Sequence, residues 1–277
     1  LAAIDEAVRN VICVGADPQQ IAILDNFCWP KCDDPRQLGA LVRAAEACYD
    51  GALAYRTPFI SGKDSLSNQF TTEDGRIIAI PQTLLITALG IVPDVLRSRT
   101  MDAKAPGNVL LLVGETTAAT GGSHLRMVGV GAGEPCIPRV DLQRGPANAR
   151  AVAELIAAGL VQSAHDCSDG GVLVTAAEMA FAGRVGLDVD LDAVPTAGSL
   201  DELVAAFAET PSRYLLEVAP QNVDAVVRKL RAANVRFAQV GTFADHDRLT
   251  VRTARRGRIL DESLDALRQT WLGTLDW

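Results

Sequence analysis

The segment 165–171, with the sequence His-Asp-Cys-Ser-Asp-Gly-Gly, places two carboxylates, a hydroxyl and two glycines immediately before an apolar stretch that predicts a helix. The unpaired amides and positive dipole end of a helix N-terminus favour a phosphate. A carboxylate beside such a phosphate would supply an oxygen ligand for Mg²⁺. The segment alone is equally compatible with an ordinary helix whose first turn is capped by Asp or Ser.

A second segment of this kind is Ser-Gly-Lys-Asp-Ser at 61–65, which follows a predicted strand at 57–60. It offers a glycine for close backbone approach, a cation, a carboxylate and two hydroxyls. Its spacing matches neither the Walker A loop nor the dinucleotide fingerprint. A solvated turn after a strand is the alternative interpretation. Asp25, at the end of a predicted strand at 21–24, would stand beside the segment if the two strands are neighbours.

A third set combines Glu6 and Asn10 with Asp166. Glu6 and Asn10 lie one turn apart on the polar face of a predicted helix that ends at Gly15, and the same pattern places Arg9 on that face. With Asp166 they would provide three oxygen ligands of the type that Mg²⁺ accepts. From the residues alone, we favour the simpler alternative of an exposed helix face.

The elements that must position these residues follow from apolar periodicity and turn signals. Asp34 and Pro35 begin a predicted helix that runs to about residue 49, and 77–92 predicts a strand or a strand pair with Pro81 at an irregular start. The polar segment 97–107 predicts a boundary between an N-terminal domain (1–105) and a C-terminal domain (106–277). Alternating strands and helices in the second part favour an α+β sheet with helices on one face.

Composition excludes several classes of protein. The chain has 277 residues, with 34 acidic against 26 basic side chains and no basic stripe, so we expect no nucleic-acid partner. It has no apolar run long enough to predict a membrane span. Six scattered cysteines are typical of reduced thiols in the cytoplasm, and the three histidines are too dispersed to predict a metal cluster. The start without Met inside a helical pattern is consistent with a fragment or a processed piece.

With these segments in view, the sequence resembles the formylglycinamidine ribonucleotide synthetases, which are ATP-dependent amidotransferases of purine biosynthesis. The resemblance is to the second half of the enzyme and covers nearly the whole chain, with 25–27 closer to the small, multi-subunit form. It implies a two-domain α/β (α+β) fold like that of aminoimidazole ribonucleotide synthetase. The matching motifs, in family order, are EAVRN (6–10), DNF (25–27), SGKDS (61–65), TGGS (120–123), HDCSDGG (165–171) with EMAFAG (178–183), and ETPSRY (209–214).

The resemblance also implies roles for individual residues. Asp25 and Gly62 would contact ATP, and Ser65 would contact the ribonucleotide substrate, across an interface with the N-terminal synthetase half. The small form usually has an asparagine Mg²⁺ ligand at the position of Lys63, so Lys63 would pair with phosphate or Asp64 would take the metal.

A second group matches positions that hold Mg²⁺ and nucleotide at a non-turnover site of the large form. Its members are Glu6, Asn10, Asp166 and Ser168. The resemblance assigns no catalytic residue to this chain, since the histidines that the family uses lie in the first half.

The implied reaction converts formylglycinamide ribonucleotide to formylglycinamidine ribonucleotide. ATP activates the formamide oxygen as an iminophosphate, and ammonia from a separate glutaminase subunit, with a small bridging subunit, displaces it. One alternative is a scaffold half that binds ADP and Mg²⁺ without catalysing. Another is a different ATP-using member of the superfamily that acts as a homodimer, although the chain lacks that type's N-terminal strand and metal-binding Asp region.

Overall fold

The computed structural model describes residues 1–274, which form three sheets and eight α-helices within that range. The helices are α1 (Ala2–Val14), α2 (Pro35–Tyr55), α3 (His124–Met127), α4 (Arg144–Ala157), α5 (Gly171–Gly183), α6 (Glu202–Phe207), α7 (Val223–Ala232) and α8 (Leu264–Gly273). The strands are β1 (Ile21–Cys28), β2 (Phe59–Ser65), β3 (Gln69–Thr71), β4 (Ile77–Ala79), β5 (Thr83–Gly90), β6 (Val109–Val113), β7 (Ser163–Asp166), β8 (Gly186–Asp190), β9 (Tyr214–Val218), β10 (Phe237–Ala244), β11 (Arg248–Thr253) and β12 (Gly257–Ser263).

The first sheet has the strand order β2-β1-β5, with β1 parallel to β2 and antiparallel to β5. On one face of β1, Ile21, Ile23 and Phe27 are buried and Asp25 is partly exposed, so most of this face of the sheet lies against the core. The opposite face stays open, with Leu85 and Leu89 more than half exposed. β3 and β4 form a separate hairpin.

The second sheet has seven strands in the order β12-β11-β8-β10-β6-β9-β7. Its helices pack on both faces, so the expectation of helices on one face is wrong. Alternate residues of β6 enter different hydrophobic clusters: Leu111 and Val113 pack with α1, α4 and α7, whereas Leu110 and Leu112 pack with α5, α6 and α8. The uninterrupted apolar sequence of β6 is the signature of a strand covered on both sides.

Several predicted elements differ from those observed. The SGKDS segment is not a loop after a strand but forms most of β2, and β1 runs through Cys28 instead of ending near residue 24. α2 starts at Pro35, with Asp34 accepting a hydrogen bond from the amide of Arg36, and is longer than predicted. The elements that were not predicted from the sequence are β3, β7, β12, α3 and α8.

The linker between the first and the second sheet is hydrogen-bonded to the second sheet. Glu217 on β9 is fully buried, and its carboxylate accepts hydrogen bonds from the backbone amides of Lys104 and Ala105 and from the side chains of Asn108 and Ser163. One hydrophobic cluster also joins α1 and the first sheet to α4 and the second sheet. The predicted boundary between residues 105 and 106 stays a prediction.

Within residues 1–274, none of the helices is both long enough and apolar enough to cross a membrane.

Candidate functional site

Arg9 joins α1 to the end of β7 and is the centre of the candidate site. It is 3% exposed, so the prediction that it lies on a solvated polar face is wrong. Its Nη1 donates to Oδ2 of Asp166 at 2.8 Å and to the carbonyl of Cys167 at 2.7 Å. Two segments about 157 positions apart in sequence are thereby brought into direct contact.

Asp5 holds Arg9 in place from the other side. Its fully buried carboxylate accepts from Nε of Arg9 at 2.7 Å, from the amide and hydroxyl of Ser212 at 2.8 and 2.5 Å, and from the hydroxyl of Tyr55. Burial alone would lower the pKa of Arg9, but the carboxylates of Asp5 and Asp166 raise it above its usual value. The guanidinium therefore stays charged inside a network that links α1, α2, β7 and the loop before β9.

Glu6 and Asn10 lie on the exposed side of α1, next to this network. Partial burial raises the pKa of Glu6; Arg9 opposes the shift, while the carboxylates of Asp166 and Asp169 add to it. The carboxyl group of Glu6 therefore interacts electrostatically with the Asp-rich turn. Two carboxylates and an amide oxygen fit Mg²⁺ chemically, although Arg9 already occupies one oxygen of Asp166.

His165 flanks the remaining oxygen of Asp166. Its Nδ1 lies 3.4 Å from Oδ1 of Asp166, and its Nε2 lies 3.1 Å from Oε2 of Glu178. Burial lowers the pKa of His165, but the hydrogen bonds to Asp166 and Glu178 outweigh this effect and raise it to about 9. Burial would likewise raise the pKa of Asp166, but His165 and Arg9 lower it, so the carboxylate stays ionised.

The Asp-rich turn opens α5 without the predicted Asp or Ser cap. Gly170 occupies the N-cap position with φ 74° and no side chain caps the helix, and Gly171 also has a positive φ of 68°. A Cβ on Gly171 would lie 2.7 Å from the carbonyl of Ala208, so both the backbone conformation and the packing require glycine. Ser168 is half-buried, and its carbonyl accepts from the Gly171 amide.

The second predicted set lies on the first sheet, where β1 and β2 are neighbours. Asp25 pairs in register with Gly62, so Asp25 lies beside the SGKDS segment as predicted for neighbouring strands. A Cβ on Gly62 would lie 2.5 Å from Oδ1 of Asp25, so the glycine gives this carboxylate room over the strand.

The remaining residues of β2 alternate between the two faces of the sheet. Asp64 pairs with Phe27 and lies on the core-facing side of the sheet, like Asp25 and Gly62. Lys63 and Ser65 lie on the open face. Nζ of Lys63 donates to the hydroxyl of Ser65. Lys63 brings a cation and no oxygen ligand, so Asp64 and Asp25 are the oxygen donors at this position. No hydrogen bond or ion pair within residues 1–274 connects this set to Glu6, Asn10, Asp166 or Ser168.

Sequence reasoning assigned no role to Glu209 and His124, which meet the Asp-rich turn in the structure. Oε1 of Glu209 accepts from the amides of Gly170 and His124, each at 2.9 Å, and lies 3.0 Å from Nδ1 of His124. Both residues belong to or adjoin matched motifs, TGGS and ETPSRY, which is the only sequence signal that pointed to them.

Comparisons with known proteins agree with this architecture. The model of the AIR synthase related protein N-terminal domain matches residues 1–92, and that of the C-terminal domain matches residues 105–254. The phosphoribosylformylglycinamidine synthase subunit PurL of Deinococcus radiodurans is 35% identical over 277 residues, which cover 98% of this chain and 36% of that protein. The chain thus spans about a third of the length of the curated relatives that it matches.

Two solved structures share the fold at lower identity. The structure of T. maritima PurL complexed with FGAR has a TM-score of 0.74 at 19% identity and covers 96% of this chain and 42% of that one. The complex of T. maritima PurL with ATP has a TM-score of 0.72 at 19% identity, with 96% and 40% covered. Since the two family models together match most of its length, the chain belongs to the AIR synthase related protein family.

Proposed function

We propose that this chain forms the C-terminal half of an ATP-dependent carbon–nitrogen ligase that converts formylglycinamide ribonucleotide to formylglycinamidine ribonucleotide, with ammonia derived from glutamine. The observation that carries the proposal is the ion pair between Arg9 and Asp166, which brings the EAVRN and HDCSDGG motifs together in a buried network. The similarity to the PurL subunits over 98% of the chain supports the same reaction.

In this proposal the two faces of β2 have different tasks. Asp25 and Gly62 contact ATP from the core-facing side of the sheet. On the open face, Lys63 pairs with a phosphate of ATP and Ser65 contacts the ribonucleotide. The register supports this division because Gly62 pairs with Asp25, and Lys63 and Ser65 point away from them. A phosphoryl transfer depends on such positioning and charge neutralisation more than on covalent help from the protein.

The proposed Mg²⁺ ligands are Glu6, Asn10 and Asp166, with Asp64 as a ligand at the strand site, and Ser168 contacts the nucleotide. Bound Mg²⁺ would neutralise charge on the phosphate oxygens. The protein's own contribution is to keep Asp166 ionised, and both Arg9 and His165 do so, since they lower its pKa against the effect of burial.

A calorimetric titration of the 277-residue chain with ADP and ATP, with and without Mg²⁺, tests the nucleotide site. We expect Mg²⁺-dependent binding that Glu6→Ala and Asp166→Asn weaken at least tenfold. Asp224→Asn is the matched control because Asp224 is an exposed acidic residue on α7, outside both candidate sites. Nucleotide binding that is indifferent to Glu6 and Asp166 would contradict the assignment.

A nucleotide-binding scaffold half is the second candidate function. It is favoured by the contrast between the buried network around Asp166 and the exposed residues 61–64 of β2. The two functions separate when the chain is combined with a preceding synthetase half and assayed for formylglycinamidine ribonucleotide. Loss of product with Ser65→Ala or Asp25→Asn supports the ligase, whereas product formation that ignores both variants, with ADP binding intact, supports the scaffold.

The partners in this proposal are the N-terminal synthetase half, a glutaminase subunit and a small bridging subunit, and the location is the cytoplasm. The open face of the first sheet supports an interface with the preceding half, since it combines Lys63 and Ser65 with the exposed side chains of Leu85 and Leu89.

A further inference from the structure

Three side chains from distant parts of the chain meet beside the Asp-rich turn. His124 begins α3, Asp169 lies in the turn before α5, and Glu209 follows α6. Nδ1 of His124 lies 3.0 Å from Oε1 of Glu209 and 3.7 Å from Oδ1 of Asp169. One ligand atom from each residue lies within 4.8 Å of the other two.

These separations match those between ligands of one metal ion. Zinc binds nitrogen and oxygen at about 2.0–2.2 Å, so two ligands in tetrahedral geometry are about 3.4 Å apart. The distance from Nδ1 of His124 to Oδ1 of Asp169, 3.7 Å, is close to this value, and the hydrogen bond of 3.0 Å from Nδ1 to Oε1 of Glu209 places that carboxylate beside the same nitrogen. The third residue is an imidazole and not another carboxylate, which distinguishes the set from an acidic surface patch.

The backbone holds the cluster together before any ion arrives. The amides of His124 and Gly170 both donate to Oε1 of Glu209, and within residues 1–274 the other oxygen, Oε2, accepts no hydrogen bond. The side chain of Glu209 is 16% exposed, whereas those of His124 and Asp169 are 53% and 84% exposed. The ion would therefore have one fixed ligand at its base and an open side toward solvent.

We propose that His124, Asp169 and Glu209 form a binding site for a divalent transition-metal ion, separate from the Mg²⁺ ligands Glu6, Asn10 and Asp166. Imidazole favours ions such as Zn²⁺ over Mg²⁺, which prefers oxygen ligands alone. Three protein ligands leave a fourth position for water or for a phosphate oxygen. The site stands on these three residues and does not depend on the proposed ligase activity.

Titration of the 277-residue chain with Zn²⁺, without nucleotide, tests the proposal by proton NMR of the imidazole rings. The chain has only three histidines, so each ring can be assigned with a single substitution. We expect the His124 resonances to shift and those of His165 and His246 to stay in place. Mg²⁺ at the same concentration should leave the His124 resonances unchanged.

Substitution separates this site from zinc bound elsewhere. His124→Ala and Asp169→Asn should each weaken Zn²⁺ binding at least tenfold, and both side chains are exposed enough to be replaced without unfolding the chain. His246→Ala is the matched control because His246 faces a single carboxylate, that of Asp188. Zinc that leaves the His124 resonances in place, including zinc bound at cysteines, or binding that survives His124→Ala, would overturn the proposal.

Discussion

The two regions that carry the candidate chemistry are built in opposite ways. Around Asp166, a buried guanidinium and a buried carboxylate hold the functional side chains through hydrogen bonds from four elements. On β2, residues 61–64 are exposed, and within residues 1–274 the side chain of Lys63 hydrogen-bonds to its strand neighbour Ser65. The side chains of the first region are held in place by hydrogen bonds within this chain, whereas the polar side chains of the second region are exposed on the sheet.

Function and stability are coupled in the first region and separate in the second. A buried charge that loses its partner is costly, so we expect substitutions in the Arg9 network to lower the stability of the fold as well as to change binding. Exposed polar residues on a strand carry little of the stability and are free to serve a ligand. Measurements of stability and of binding in both regions test this contrast.

The largest effect is expected for Arg9→Ala. This change leaves the buried carboxylate of Asp5 without its cation and Asp166 with His165 alone, and it should lower the free energy of unfolding by about 3–5 kcal/mol. Urea denaturation measures the loss. Arg144→Ala removes an exposed partner of Glu115 and should cost less than about 1 kcal/mol. Equal losses in the two variants would show that the network does not stabilise the fold.

The second prediction concerns the pH dependence that His165 adds. Its folded pKa of about 9 lies above the ordinary value of 6.5, so its stabilising effect is complete below about pH 6.5 and is lost as the pH rises through 9. The difference in unfolding free energy between the wild type and His165→Gln should fall by on the order of 3 kcal/mol over this window. A difference that is flat from pH 6 to pH 10 would contradict the ion pairs with Asp166 and Glu178.

A smaller effect is expected on nucleotide affinity. Asp166→Asn should weaken Mg²⁺-dependent ADP binding to the chain at least tenfold, or about 1.4 kcal/mol, because it removes a charged ligand. Ser65→Ala should change the same affinity less than twofold, because Ser65 lies on the open sheet and not in the Arg9 network. Calorimetry on both variants measures these affinities. A larger loss of affinity in Ser65→Ala than in Asp166→Asn would contradict the prediction.

The smallest effect is expected for Lys63→Ala. The side chain of Lys63 is exposed and donates a hydrogen bond to Ser65, so the free energy of unfolding should change by less than about 0.5 kcal/mol. Thermal or urea denaturation checks this. A large loss would mean that β2 depends on its side chains for stability and that the contrast between the regions is too simple.

Much of the fold could be predicted from local signals. The end of α1 at Gly15 and the start of α2 at Pro35 follow from residues whose preferences act within one turn. The SGKDS segment was predicted as a loop because its polar, glycine-containing sequence lacks strand propensity. Pairing with β1 overrides that propensity, and pairing is a contact that no single segment encodes.

The candidate site was predictable only in part. Motif positions located Glu6, Asn10 and Asp166, but helical periodicity placed Arg9 on the solvated face of α1. Its burial depends on Asp166, which lies 157 positions further along the chain, so the spacing of residues in α1 could not reveal it. The same holds for His124 and Glu209, which meet across 85 positions.

The buried Glu217 has a mechanical consequence. By accepting the amides of Lys104 and Ala105, it ties the linker to β9, so this stretch cannot serve as a loose hinge. We therefore expect a movement of the first sheet to be transmitted to the second sheet through these hydrogen bonds and through the packing of α1.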